Sequence, residues 1–215
     1  MSTSTRPIWS EWKEGDAPPA RLRMTEEEFV RWCDEDTKAE WVDGEVIVMA
    51  PANIEHDDLQ WWLRTLLRLY VERKGLGAVM GPEVMVRFAK QRRRRVPDVL
   101  FVDTGRRDII RKNHLEGAPD LIIEIVSPDS ESRDWREKYN EYEAVGVREY
   151  WVIDPASQHT EVYGLGADQK YARIEEKEGK IASAVVPGWY LKPEWLFGEK
   201  RANVLDALAE LGVRN

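Results

Sequence analysis

Apolar residues recur along this chain with two periods, and the switches between them mark out its elements. From Glu55 to Lys74 the positions Leu59, Trp62, Leu63, Leu66, Leu67 and Tyr70 return every three or four residues. That spacing predicts a long helix with one buried face, which Gly75 and Gly77 are placed to end. A shorter helix is predicted after Thr25, whose hydroxyl can cap it while Glu28, three residues on, completes a capping box. Between the two helices, Lys38 to Ala50 reads as KAEWV, Asp43-Gly44 and EVIVMA. Asp-Gly between apolar runs supplies the positive-φ turn of a hairpin. The pattern then becomes strand-like in three stretches: roughly Ala78 to Phe88, Val96 to Val102 and Asp120 to Val126. Ser127-Pro128-Asp129 reads as a turn, Ser130 to Val145 as a helix closed by Gly146, and Glu149 to Asp154 as a further strand. Short antiparallel strands follow in HTEVYG, QKYARI and KIASAVV, with turns at Gly164 to Gly166 and Glu178-Gly179. Val204, Leu205, Leu208 and Leu211 predict a C-terminal helix.

Between Glu55 and Asp154 the order is therefore helix, three strands, helix, strand. A helix that joins two strands usually sets them parallel in one sheet. The predicted class is α/β: a mixed central sheet flanked by helices, with an N-terminal helix and hairpin and a C-terminal antiparallel extension. Residues 1–24 lack any period and are expected to form a flexible arm. Residues 25–200 are expected to form a single domain, and 201–215 the C-terminal helix.

With 215 residues and 42% hydrophobic content, the chain can bury a full core. No uncharged apolar run approaches the roughly 18 residues a membrane helix needs. The first residues also lack the apolar stretch of a secretory signal. A single cysteine, Cys33, excludes an internal disulfide and disfavours a cysteine-based zinc site. A cytoplasmic protein without a membrane partner is the resulting expectation. The net charge of -8 argues against a broad nucleic-acid-binding surface, with Arg92, Arg93, Arg94 and Arg95 as a local exception. Ten tryptophans imply a core or interface rich in large rings. Trp61 and Trp62 are adjacent on the long helix and cannot both face one core, which motivates a homodimer.

Two acidic residues stand where acids are costly: Asp98 within VPDVLFV and Glu124 within LIIEIV. A carboxylate in a buried strand must be paired, hydrogen-bonded, protonated or metal-bound. Two on adjacent strands would suit a hard divalent cation; alternatively each is the solvent-facing residue of a half-exposed strand. Asp134, Lys138 and Tyr142 lie four apart on one helix face. They form either an ordinary Asp-Lys pair or an ammonium directed at the two acids. His56, at the start of the long helix, and Glu40, in the hairpin, are weak signals alone. The arginine run is expected in the loop before the Asp98 strand, either solvated or touching phosphates.

As an ordered set, these pieces resemble the PD-(D/E)XK nuclease superfamily and, within it, the bacterial restriction-endonuclease family of the Uma type. The resemblance rests on EWVDGE at Glu40 to Glu45, His56 at the long helix, and VPDV at Val96 to Val99. It continues through PDLIIEIVSP at Pro119 to Pro128, DWREKYNEY at Asp134 to Tyr142, and GVREYWVID at Gly146 to Asp154. What the resemblance implies is a restriction-endonuclease-like αβββαβ core that hydrolyses phosphodiester bonds in nucleic acid, DNA in the first place, with Mg²⁺ or Mn²⁺. Asp98 and Glu124 would be its metal ligands. Glu40 would be a third ligand or a water-orienting group, and His56, Asp134 and Tyr142 would support the ligands. The motif's lysine belongs two residues after Glu124, where this chain has Val126. Lys138 resembles the relocated lysine of variant members. The alternative is a catalytically silent nuclease-fold homodimer that binds nucleic acid or a protein partner.

Overall fold

The computed structural model describes residues 22–34, 37–49, 53–126 and 137–213. The predicted arm lies outside these residues except for its last three. Those three are docked: the Leu22 and Gly44 carbonyls accept from the Val46 and Met24 amides, and Leu22 packs beside the hairpin.

Helix α1 (Glu26–Trp32) starts at Thr25, where both hydrogen bonds of the capping box form. Strands β1 (Ala39–Val42) and β2 (Glu45–Val48) make the hairpin, with Asp43 and Gly44 both at positive φ. Helix α2 (Ile54–Lys74) is capped by the Asn53 side chain and ends on Gly75 in the left-handed conformation. The predicted strand 78–88 is in fact two, β3 (Gly77–Met80) and β4 (Met85–Phe88), which join different sheets. The arginine run is a strand rather than a loop, β5 (Arg93–Arg95), paired with β1 and β4. Next come β6 (Val99–Asp103), β7 (His114–Glu116) and β8 (Leu121–Ile125). Of the predicted helix 130–145, the described part contains α3 (Tyr139–Val145); its start and the turn before it lie outside the described residues. The chain continues through β9 (Glu149–Asp154), β10 (His159–Leu165), β11 (Tyr171–Arg173), β12 (Ile181–Ala182) and β13 (Tyr190–Leu191). It closes with helices α4 (Pro193–Phe197) and α5 (Val204–Glu210).

Among the described residues, a six-stranded sheet has the order β11-β10-β9-β8-β6-β3 and a five-stranded sheet the order β2-β1-β5-β4-β7. The one parallel pair in the larger sheet is β8 with β9, joined through α3 as the helix rule predicts. Alternation along its central strands feeds two cores. Val99, Phe101, Leu121, Ile123, Ile125, Trp151 and Ile153 pack with α2, α4 and α5. Leu100, Val102, Ile122, Tyr150 and Val152 face Val86 and Phe88 of the smaller sheet and Tyr142 of α3. Glu124 belongs by parity to this second face. No helix among the described residues is long and apolar enough to cross a membrane.

Of the adjacent tryptophans, Trp62 is buried and donates to the Ala202 carbonyl, while Trp61 is 54% exposed beneath the Arg64 guanidinium. Gly77 sits within β3 instead of ending α2. A Cβ there would collide with the Val102 carbonyl and the Phe101 ring across the β3–β6 pair. Gly77→Ala is therefore expected to cost about 1–3 kcal/mol of stability, measured by urea unfolding. An unchanged midpoint would mean the strand edge yields freely.

Candidate active site

The two buried acids meet at the junction of both sheets. Asp98 follows Pro97 and precedes β6 by one residue. The antiparallel register Val99↔Ile123, carried one step outward, sets it opposite Glu124. The link is direct, since the Ile125 amide donates to Asp98 Oδ2 at 2.8 Å. Both acids are buried, at 4% and 3% exposure, so neither is the solvent-facing residue of a half-exposed strand.

Each carboxylate has its own set of partners. Gln60 Nε2 donates to Asp98 Oδ1 at 2.6 Å, and His56 Nε2 lies 3.4 Å from Oδ2. Burial alone would push the Asp98 carboxyl up. The His56 ring, the Ile125 amide and the Lys138 ammonium outweigh it and hold the group below its ordinary value. Desolvation likewise opposes the charged form of His56, yet its contact with Asp98 raises that ring's pKa, against the opposing charge of Lys38. Glu124 accepts from the Tyr142 hydroxyl at 2.7 Å on Oε1, and Lys138 Nζ lies 2.8 Å from Oε2. Burial raises the Tyr142 phenol well above its ordinary value, with the Glu124 and Glu40 charges adding to it, so it remains a donor.

Glu40 stands on the neighbouring sheet. Its Oε2 receives Arg95 Nη1 at 2.8 Å and its Oε1 the Val96 amide at 3.1 Å. Burial pushes Glu40 up, but the Lys138 and Arg95 charges and these bonds lower it overall. Arg95 also grips Glu141 of α3 through Nε and Nη2, at 3.1 and 2.6 Å. The guanidinium thus spans from β1 to α3 and is itself 2% exposed.

Five of the residues singled out in the sequence, Glu40, His56, Asp98, Glu124 and Lys138, converge here, with Tyr142 beside them. Asp134 lies outside the described residues. Both oxygens of Glu40 are engaged, by Arg95 and the Val96 amide, and no group of three His, Cys, Asp or Glu side chains stands in ligating arrangement among the described residues. One expectation changes: the arginine run does not present four solvent-facing guanidiniums. Arg94 and Arg95 are buried on Glu26, Glu40 and Glu141, which leaves Arg92 and Arg93 nearer the surface.

The profile of the Uma2 family, described as "Putative restriction endonuclease", matches residues 26–194, a span that contains the whole site. The chain belongs to the Uma2 family. Among solved structures it is similar to the crystal structure of a putative nuclease belonging to DUF820 from Anabaena variabilis. The TM-score is 0.67 at 21% identity, over 81% of this chain and 97% of that one. That likeness establishes the restriction-endonuclease-like fold, and membership of the Uma2 family supports a nuclease-like function. No curated protein matches the chain.

In this Uma2 member, sequence reasoning missed Gln60, Arg95 as a buried strut, and Glu141. Gln60 carried a usable signal. It lies four residues after His56 and one after Leu59, a polar residue on the arc of α2 that packs inward. Arg95 carried none, because its partners are 55 and 46 residues away.

Proposed function

We propose that the chain is a divalent-metal-dependent endonuclease that hydrolyses phosphodiester bonds in DNA. The observation that supports this best is the buried Asp98–Glu124 pair with a lysine ammonium 2.8 Å from Glu124. Asp98 and Glu124 would hold Mg²⁺ or Mn²⁺. Two carboxylates, with water and phosphate oxygens to complete the shell, are the donor set these hard ions favour, and the pair fits that chemistry. When bound, such an ion supplies the charge that polarises a phosphate and acidifies a water.

The remaining tasks fall to the chain's own groups. Lys138 takes the role of the lysine missing at Val126: its ammonium orients the attacking water or donates to phosphate oxygens as negative charge develops. Tyr142 fixes the other oxygen of Glu124 and keeps that carboxylate in one rotamer. His56 does the same for Asp98. Glu40 anchors Arg95 and the Val96 amide, which holds the turn into Asp98. Arg92 and Arg93 are the members of the arginine run available to a DNA backbone.

Titration calorimetry with Mn²⁺ tests the reading. The wild type is expected to bind about one or two ions per chain, as an open carboxylate site allows. Asp98→Ala/Glu124→Ala is expected to bind none. A wild type that binds no Mn²⁺ would sink the enzyme. The second reading, a silent nuclease-fold homodimer, draws on the exposed Trp61 ring. It would show as a dimer in sedimentation that retains DNA in Ca²⁺ yet cleaves none in Mg²⁺ or Mn²⁺.

A further inference from the structure

Asp98 is not held by a strand ladder, since β6 begins one residue later, at Val99. Its carboxylate direction is set from outside. Two of its contacts come from a single helix face: His56 and Gln60 stand four apart on α2, one turn above the other, and both are buried. Gln60 Nε2 occupies Oδ1 at 2.6 Å, while His56 Nε2 and the Ile125 amide meet Oδ2. With a donor on each oxygen, the carboxylate cannot rotate about its Cβ–Cγ bond without breaking a buried hydrogen bond.

The chemistry of position 60 is selective. A carboxylate there would set two like charges against each other. An ammonium would neutralise Asp98 and repel a cation. An amide donates a hydrogen bond and adds no charge, so the negative charge of Asp98 stays available. Glu124 is held differently, by the Lys138 ammonium and a phenol. The two acids therefore differ in what restrains them: an amide and an imidazole from one helix face hold Asp98, whereas an ammonium and a phenol from the α3 side hold Glu124.

We propose that Gln60 is a positioning residue that orients the Asp98 carboxylate for divalent-metal capture, acting from α2 through that carboxylate and touching neither metal nor substrate. This rests on the metal-dependent reading above.

The test uses Mn²⁺ calorimetry and thermal unfolding on the full chain. Gln60→Met keeps the length and packing of the side chain and removes its donor. Gln60→Ala removes the donor without bulk and stands in if the Met variant fails to unfold cooperatively. Either variant is expected to bind Mn²⁺ about 10–100-fold more weakly than wild type, the usual loss when a partner of a metal-binding carboxylate is removed. Gln60→Met is expected to unfold as cooperatively as wild type, with a melting temperature lowered by only a few degrees for the lost buried hydrogen bond, so that the chain is folded at the titration temperature and weaker binding reports the carboxylate's orientation. If wild type binds Mn²⁺, Asp98→Ala does not, and both Gln60 variants bind within about threefold of wild type, the positioning role is wrong and the metal site stands. A wild type that binds no Mn²⁺ overturns both.

Discussion

Asp98→Asn is expected to abolish DNA cleavage, with a loss of at least about 10³-fold, while the chain still folds. The substitution is nearly isosteric, so the β6–β8 pairing and the packing around it should survive. What changes is charge and bonding. The wild-type group accepts from Gln60 on one oxygen and from the Ile125 amide on the other. Asparagine can accept at only one of these places and presents its own N–H groups at the other. The anionic ligand is lost, and a buried donor is left facing a donor. Lys138→Met makes a useful contrast. It removes a group that stabilises developing charge, an effect worth about 10²–10³ in rate, yet leaves both carboxylates in place. Mn²⁺ binding should therefore persist in Lys138→Met and fail in Asp98→Asn. Single-turnover nicking of plasmid DNA in Mg²⁺, beside Mn²⁺ titrations, separates the two. Full cleavage by Asp98→Asn would sink the assignment of that residue.

The parts of the fold that could be read from the sequence are those whose causes are local. Thr25 with Glu28, Asp43 with Gly44, and the apolar spacing that Gly75 closes each act within a few residues, and each forms the predicted element. The parallel β8–β9 pair followed from the intervening helix alone. The unbroken strand from Ala78 to Phe88 failed because Gly81-Pro82, a visible breaker, divides it, and the halves serve different sheets. The arginine run misled for a deeper reason. Consecutive charges normally mark a solvated face, but strand alternation sends Arg94 and Arg95 to opposite faces, and carboxylates from α1 on one and from β1 and α3 on the other allow both to be buried. Nothing near residue 95 in the sequence announces Glu40 or Glu141. For the site, the acids and Lys138 stood out by type and order, whereas the groups that orient them are ordinary residues until α2 and α3 are set against the sheet.

Arg95→Met is expected to cost about 3–5 kcal/mol of stability in urea unfolding, the range for breaking a buried ion pair from one side. The methionine fills much of the space but answers none of the charge. Glu40 would keep only the Val96 amide at close range, and Glu141 would lose a two-pronged partner and keep the more distant Arg93, at 3.6 Å. The two carboxylates would then share a site that the guanidinium had neutralised. The defect lies in the charge left behind more than in the bond removed. Accordingly, Arg95→Met/Glu40→Gln/Glu141→Gln should recover a large part of the loss, because no uncompensated charge remains. The sign of the pH dependence follows from Glu40, which is held below its ordinary value of 4.5 by Lys138 and Arg95 against the opposing effect of burial. A carboxyl lowered on folding contributes stability above its unfolded value and loses it as the pH falls through the folded one. The gap between wild type and Arg95→Met should therefore be full at neutral pH and narrow below 4.5. A single-variant cost under about 1 kcal/mol would mean that the carboxylates find other compensation, and that Arg95 is not the strut. If the strut is real, cleavage should fall as well. Arg95 grips α3 at Glu141, one turn from Lys138, and a loosened α3 no longer fixes the ammonium at Glu124.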